Sequence, residues 1–120
     1  MRNYIKGALW GAVLGDVIGA HLEFDKDVNK DKIRNAFKIV GGGKHHLEAG
    51  QPTDDSELNF SVLKGLMSGK GSLNLNLIAM EMGNWFLSKP IDIGNTIRNS
   101  VPKACNMKVH QAHLCRKGAR

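Results

Sequence analysis

Glycine recurs at positions 7, 11, 15 and 19 of this 120-residue chain, every fourth residue through its first apolar run. That spacing places the glycines on one helical face. Ile5, Leu9, Val13 and Val17 keep helical spacing along a second stripe. The segment from Asn3 to about Ala20 is therefore expected to be a helix. Each glycine costs roughly 1 kcal/mol of helix propensity relative to alanine. The pattern makes sense if a partner backbone packs closely against the glycine face. Asp16 interrupts the apolar run, either as a buried acid held by hydrogen bonds or as a solvated residue near the helix end.

The stretch Gly50-Gln51-Pro52-Thr53-Asp54-Asp55-Ser56-Glu57-Leu58 marks a second helix start. Asp54 with Glu57 three residues on reads as an N-cap with a capping box. Two adjacent acids beside a Thr hydroxyl are also hard oxygen ligands of the kind Mg²⁺, Mn²⁺ or Ca²⁺ takes. Taken alone, the stretch leaves both readings open. Glu23, flanked by Leu22 and Phe24, is either a boundary residue or a carboxyl with a raised pKa suited to proton transfer.

Between these landmarks, Asp25 to Lys38 alternates in charge sign and reads as a solvated connector, with Ile33 and Phe37 hinting at a short helix. Gly41-Gly42-Gly43 and Lys44-His45-His46 read as a flexible loop, since the glycines lack the context of a phosphate-binding fingerprint. Beyond the acids, Leu58, Val62, Leu63, Leu66 and Met67 define an amphipathic helix ended by Gly69 and Gly71. Leu73, Leu75 and Leu77 alternate like a strand, but Ile78, Met82, Trp85 and Phe86 continue at helical spacing, and helix is the expectation. Ser88-Lys89-Pro90 stops it. Asp92 to Arg98 reads as a loop entering a short helix that Pro102 closes. The expected fold class is all-α, within one domain and without repeats.

The net charge of +6 invites a polyanion hypothesis, but its placement argues otherwise. Lys103, Lys108, Arg116, Lys117 and Arg120 lie in the last twenty residues with no acid among them, leaving the first hundred with 12 basic and 11 acidic groups. A nucleic-acid contact would rest on that tail alone, without a stacking motif, and is not favoured. Cys105 and Cys115 make no disulfide framework. With His110 and His113 they are zinc-ligand types, but at no standard spacing. Arg2 and Lys6 precede the run Gly7 to Gly15, which Asp16 breaks and which is too short to span a bilayer. No membrane association is expected, and the location expected is cytoplasmic.

Four blocks in order give the chain a family resemblance. They are Gly7–Gly19 (GALWGAVLGDVIG) running into Leu22-Glu23-Phe24, then Gly41–Gly43 with Gly50-Gln51 and Thr53-Asp54-Asp55, then a helix ending at Trp85, and then Asp92–Arg98 (DIGNTIR). Over roughly residues 4–100 the chain resembles the N-terminal part of an ADP-ribosylglycohydrolase, the family of the dinitrogenase-reductase-activating glycohydrolase and the ADP-ribosyl-acceptor hydrolases. Pro52 and Ile97 depart from it, standing where the family usually has Trp and Thr.

The resemblance implies an all-α domain whose cleft holds two divalent cations, Mg²⁺ or Mn²⁺, and which hydrolyses ADP-ribose from modified protein side chains. It implies Thr53, Asp54 and Asp55 as metal ligands and Glu23 as the catalytic acid or base. Asp92, Gly94 and Asn95 would lie at the substrate. It also implies a second acidic cluster, Asp-x-Asp-Thr, further along a domain more than twice as long. No Asp or Glu follows Asp92 here. The expectation is a truncated or split member, residues 1–100 forming a partial helical domain and 101–120 a basic tail that is diverged or disordered. Binding of both ions and turnover would be impaired in this chain alone, and a companion chain or self-association would supply the rest. The alternative is a catalytically inactive ADP-ribose-binding or interaction module, or a fragment of a split gene. Metal-dependent turnover separates the two.

Overall fold

A computed structural model describes residues 2–106, with side chains for 3–104. Five helices are described: α1 (Arg2–Ala20), α2 (Lys30–Ala36), α3 (Asp54–Ser68), α4 (Leu75–Leu87) and α5 (Asn95–Asn106). No strand occurs among the described residues, only an isolated bridge between Gly42 and Leu47. The all-α expectation is met. The chain divides after Ser56 into two units.

In the first unit, α1 runs as the apolar periodicity requires and ends where Leu22 and Glu23 both donate their N–H groups to the Gly19 carbonyl, at 2.8 and 3.1 Å. Among the described residues, the expected neighbour on the glycine face is not there. A Cβ added at Gly7, Gly11, Gly15 or Gly19 would meet nothing within 4 Å. The adjoining apolar side chains are likewise open, Trp10 at 67% and Ile5 at 59% exposure. The start of the stripe is thus open among the described residues, while Val13 and Val17 further along are half-buried.

The short helix α2 forms because Asn29 caps it, its side chain accepting from the N–H groups of Asp31 and Lys32 at 3.1 and 3.0 Å. The segment following it corrects the expectation of a flexible loop. Gly42 and Leu47 exchange backbone hydrogen bonds of 2.7 and 3.0 Å, and Leu47 is buried. Gly43, at φ +67°, sits so close to the end of α1 that a Cβ would lie 3.0 Å from the Ala20 carbonyl oxygen. Glycine there meets both a left-handed backbone and a close approach. The His21 ring adds a 2.5 Å hydrogen bond to the Gly41 carbonyl.

In the second unit, Asn74 caps α4 by accepting from the N–H groups of Asn76 and Leu77, so Leu73 falls outside the helix and the strand-like alternation has no structural counterpart. Gly65 of α3 lies against Ile78 of α4: a Cβ on Gly65 would stand 2.5 Å from Ile78 Cα. The absence of a side chain lets these two helices approach. Trp85, 8% exposed, donates its indole N–H to Glu57 Oε2 at 2.7 Å. Helices α4 and α5 also pack together, and Val101 on α5 is buried.

Pro102 does not close α5, which continues to Asn106. Proline removes one donor and crowds the preceding turn. The helix nonetheless passes through it, with the neighbouring Val101 anchored at 2% exposure. Among the described residues, no helix is long and apolar enough to cross a membrane. His110, His113 and Cys115, considered above for zinc, lie outside the described residues, as do the Cys105 side chain and most of the basic tail.

Candidate functional site

The start of α3 is built by an acid from α1. Asp16 Oδ2 accepts from the backbone N–H of Thr53 (3.0 Å), the N–H of Ser56 (3.2 Å) and the Ser56 hydroxyl (2.5 Å). Its Oδ1 accepts from the Thr53 hydroxyl at 2.6 Å. The first N–H groups of a helix have no partner within it, and the positive end of the helix dipole favours a carboxylate. Thr53 and Ser56 are 6% and 1% exposed, so their polar groups have to be satisfied inside the protein. Asp16 satisfies four of them with one side chain.

This arrangement overturns the capping-box reading. Helix α3 begins at Asp54 itself, one position before a cap at Asp54 would allow. Glu57 bonds the Trp85 indole. The first-turn donors of Thr53 and Ser56 go to Asp16, thirty-seven and forty residues away. It also decides between the two sequence readings of Asp16, in favour of the hydrogen-bonded acid.

The electrostatics follow from the geometry. Partial burial alone would push the Asp16 carboxyl up, but the hydrogen bonds from Ser56 and Thr53 together outweigh it and hold the group below its ordinary value of 3.8. Asp16 is therefore ionised at neutral pH. The two hydroxyl bonds, at 2.5 and 2.6 Å, have the lengths expected of O–H donors on a charged carboxylate.

Between the two gripped residues stand Asp54, half-buried, and Asp55, exposed. Thr53, Asp54 and Asp55 thus supply one hydroxyl and two carboxylates in sequence, all hard oxygen donors suited to Mg²⁺ or Mn²⁺. The Thr53 hydroxyl fits that use because its proton is committed to Asp16. A hydroxyl oxygen keeps its acceptor lone pairs when it donates.

Glu23 lies exposed on the turn after α1. A carboxylate oxygen of Glu23 and a ring nitrogen of His45 lie within 4.8 Å of each other. The His45 ring stands edge-on to Phe24, centroids 5.6 Å apart at 65°, and the Lys44 ammonium sits 4.5 Å over the Phe24 face. The glycine-rich turn thus brings an imidazole and a cation to the neighbourhood of Glu23. The flexible-loop reading of Lys44-His45-His46 missed this, because the segment is a turn pinned at Gly42 and Leu47.

The remaining predicted residues belong to the second unit. Asp92 is half-buried ahead of α5, the Gly94 carbonyl accepts the Arg98 N–H at 2.9 Å, and Asn95 is the exposed first residue of that helix. The same unit has a groove of about 290 Å³ lined by Glu57, Phe60, Ser61, Lys64, Glu81, Asn84, Trp85 and Ser88. None of the predicted residues lines it. The residue that sequence reasoning under-used is Asp16. The signal available was an acid inside an apolar helix, which is rarely left without partners.

Comparison with known proteins covers nearly the whole chain. Residues 1–118 match the model of the ADP-ribosylglycohydrolase family. The chain is 36% identical over 99 residues to the ADP-ribosyl-dinitrogen reductase glycohydrolase of Rhodospirillum rubrum, an alignment spanning 79% of this chain and 32% of the relative. It is 34% identical over 103 residues to an ADP-ribosylarginine hydrolase of Serratia proteamaculans, spanning 80% of this chain and 27% of that protein. The chain therefore spans about a third of the length of the curated relatives it matches.

Proposed function

Because the chain belongs to the ADP-ribosylglycohydrolase family, we propose that it contributes the N-terminal share of a metal-dependent site that hydrolyses ADP-ribose from modified protein side chains. The observation that carries this reading is the row Thr53, Asp54, Asp55 at the start of α3, set in place by Asp16. Thr53, Asp54 and Asp55 would hold Mg²⁺ or Mn²⁺ through oxygen. When bound, such ions orient ribose oxygens and lower the pKa of water. Glu23 holds or delivers the proton that moves between water and leaving group, with His45 beside it. The bond from the anomeric carbon to the acceptor breaks, the water oxygen takes its place, and the acceptor leaves protonated. Asp92, Gly94 and Asn95 shape the loop that contacts substrate. The substrate would be an ADP-ribosylated protein, met in the cytoplasm.

The ligand set is incomplete in the sequence at hand. Divalent cations of this class take six or more oxygens, and no acid follows Asp92. Further protein, as a companion chain or a second copy, would complete the shell. The specific observation behind a second reading is the same lack of acids: a module that binds ADP-ribose conjugates without cleaving them.

Calorimetric titration with Mg²⁺ and Mn²⁺, followed by assays on ADP-ribosyl-arginine and ADP-ribosyl-serine peptides, tests both. The expected result is cation binding that Asp54→Ala weakens, with little turnover by the chain alone. Turnover by the chain alone that Glu23→Gln or Asp54→Ala abolishes would overturn the incomplete-site reading. Cation binding unchanged by Asp54→Ala would overturn the assignment of the ligands.

A further inference from the structure

We propose that Asp16 is a positioning residue for the cation ligands: by accepting the Thr53 hydroxyl hydrogen bond and gripping both ends of the Thr53–Ser56 turn, it presents the Thr53 oxygen, Asp54 and Asp55 in a fixed arrangement. This rests on the metal-ligand reading of those three residues.

A purely structural cap needs only to accept the free N–H groups of the first turn. Asp16 does that through Oδ2, from Thr53 and Ser56. It also takes a hydroxyl from each of the same two residues. Each is therefore held at two points, one on the backbone and one on the side chain, which fixes the χ1 angle as well as the peptide. Thr53 and Ser56 are separated only by Asp54 and Asp55. The two acids thus sit on a turn clamped at both ends.

The two clamps serve different purposes. Ser56, at 1% exposure, is closed off, and its hydroxyl bond satisfies a buried group. At Thr53 the bond has a chemical consequence. A neutral hydroxyl ligates a hard cation through a lone pair, which requires its proton to point elsewhere. The bond to Asp16 Oδ1 at 2.6 Å provides that direction before any cation arrives. A carboxylate behind a neutral ligand also increases the ligand's basicity, the way partners of metal-bound groups commonly act. Asn at position 16 would keep the shape but have one acceptor oxygen in place of two. Its NH₂ group would then face one hydroxyl or N–H donor with another donor.

The test compares the 120-residue wild type, Asp16→Asn, Asp16→Glu, Ser56→Ala and Asp54→Ala by Mn²⁺ calorimetry, by denaturant unfolding, and by NMR measurement of the Thr53 χ1 angle without metal. Asp16→Asn is expected to lower Mn²⁺ affinity about 10–100-fold, the range found for partners of metal ligands, and to release Thr53 into rotamer averaging. Asp16→Glu keeps the charge but moves the oxygens by one methylene, and serves if the Asn variant does not fold. Its expected loss of affinity is about tenfold on the same basis. Ser56→Ala keeps the backbone N–H bond to Asp16 and loses only the hydroxyl bond; it should lose stability with a smaller loss of Mn²⁺ affinity than Asp16→Asn and with the Thr53 rotamer still fixed, separating positioning from general weakening of the turn.

A single fixed Thr53 rotamer in the folded Asp16 variants overturns the proposal whether or not metal binds. So does Mn²⁺ affinity that follows stability alike in the Asp16 and Ser56 variants. If wild type binds no Mn²⁺, or Asp54→Ala binds as well as wild type, the underlying ligand assignment falls and takes the proposal with it. The χ1 measurement then still reports whether Asp16 orders Thr53.

Discussion

Replacing Gly65 with alanine should destabilise the chain, although alanine is the better helix former. An ideal Cβ at position 65 would lie 2.5 Å from Ile78 Cα, 2.8 Å from Ile78 N and 2.9 Å from Ile78 Cγ1. Carbon atoms in comfortable contact stand about 3.5–4.0 Å apart, so roughly 1 Å of separation has to be found. Two of the three opposing atoms are backbone, and a rotamer change at Ile78 relieves only the third. The helices α3 and α4 themselves have to move apart.

Forcing a methyl into a packed contact costs about 1–3 kcal/mol and occasionally more. The gain in helix propensity offsets about 1 kcal/mol of that. With two backbone atoms in the way the cost falls at the upper end of that range, so the expected net loss is about 2 kcal/mol, a fall in Tm on the order of 5–15 °C for a domain of this size. Gly11→Ala is the control, since no described residue lies within 4 Å of its added Cβ. It should gain up to about 1 kcal/mol from propensity alone. Urea unfolding and thermal melts followed by far-UV circular dichroism measure both. Gly65→Ala as stable as wild type, or the two variants shifting in the same direction, would refute the close approach of α3 and α4.

The indole bond makes a second prediction: Trp85→Phe should cost about 1.5–3 kcal/mol, the range for a hydrogen bond to a charged group. A double-mutant cycle with Glu57→Gln should then show coupling, and additive losses would argue against that bond. Stability should also fall in acid. The Asp16 pKa is depressed in the folded state, so its contribution is fully present above the unfolded value near 3.8 and is lost as pH drops through the lower folded value. Asp16→Asn should flatten that acid limb, and an unchanged slope would contradict it. Lys32→Ala removes a pair of 2.8 Å to Asp25 whose lysine is 41% exposed. The loss should be under about 1 kcal/mol and should shrink further in high salt; a larger, salt-independent loss would place the pair in a more buried setting.

Much of the architecture was legible because it depends on periodicity. The stripe Ile5, Leu9, Val13, Val17 and the run through Ile78, Met82, Trp85 and Phe86 are properties of local sequence, and α1 and α4 follow them. The misreadings have a common cause in distant partners. The rule pairing Asp54 with Glu57 considers only four residues, whereas Glu57 finds the Trp85 indole and Asp16 claims the N-terminal donors. Position 102 was read as a stop from proline's local geometry, yet α5 persists through it beside a buried Val101. His45 was read as part of a flexible loop, whereas the turn closed by Gly42 and Leu47 brings it near Glu23. On the proposed site, then, the sequence pointed to residue types and the family resemblance pointed to their roles. Neither pointed to the support behind Thr53.

That support changes what an incomplete ligand set means. Building a cation site involves two separable tasks: holding each ligand in its productive geometry, and supplying enough ligands to replace the cation's water. The second cannot be finished by Thr53, Asp54 and Asp55 alone. On the proposed reading, the first is met for the Thr53–Ser56 turn inside residues 1–56, because every hydrogen bond that Asp16 accepts from Thr53 and Ser56 arises there. The ordering entropy of the turn is then met on folding and not on cation binding. On the proposed reading, ligands arriving from further protein would meet a half-site already set. Their contribution would be coordination, with little of the binding energy consumed in shaping the Thr53–Ser56 turn. The open glycine face of α1 belongs to the same helix as Asp16. Packing against that face would thus act on the helix whose Asp16 grips Thr53 and Ser56, without needing to touch the proposed ligands.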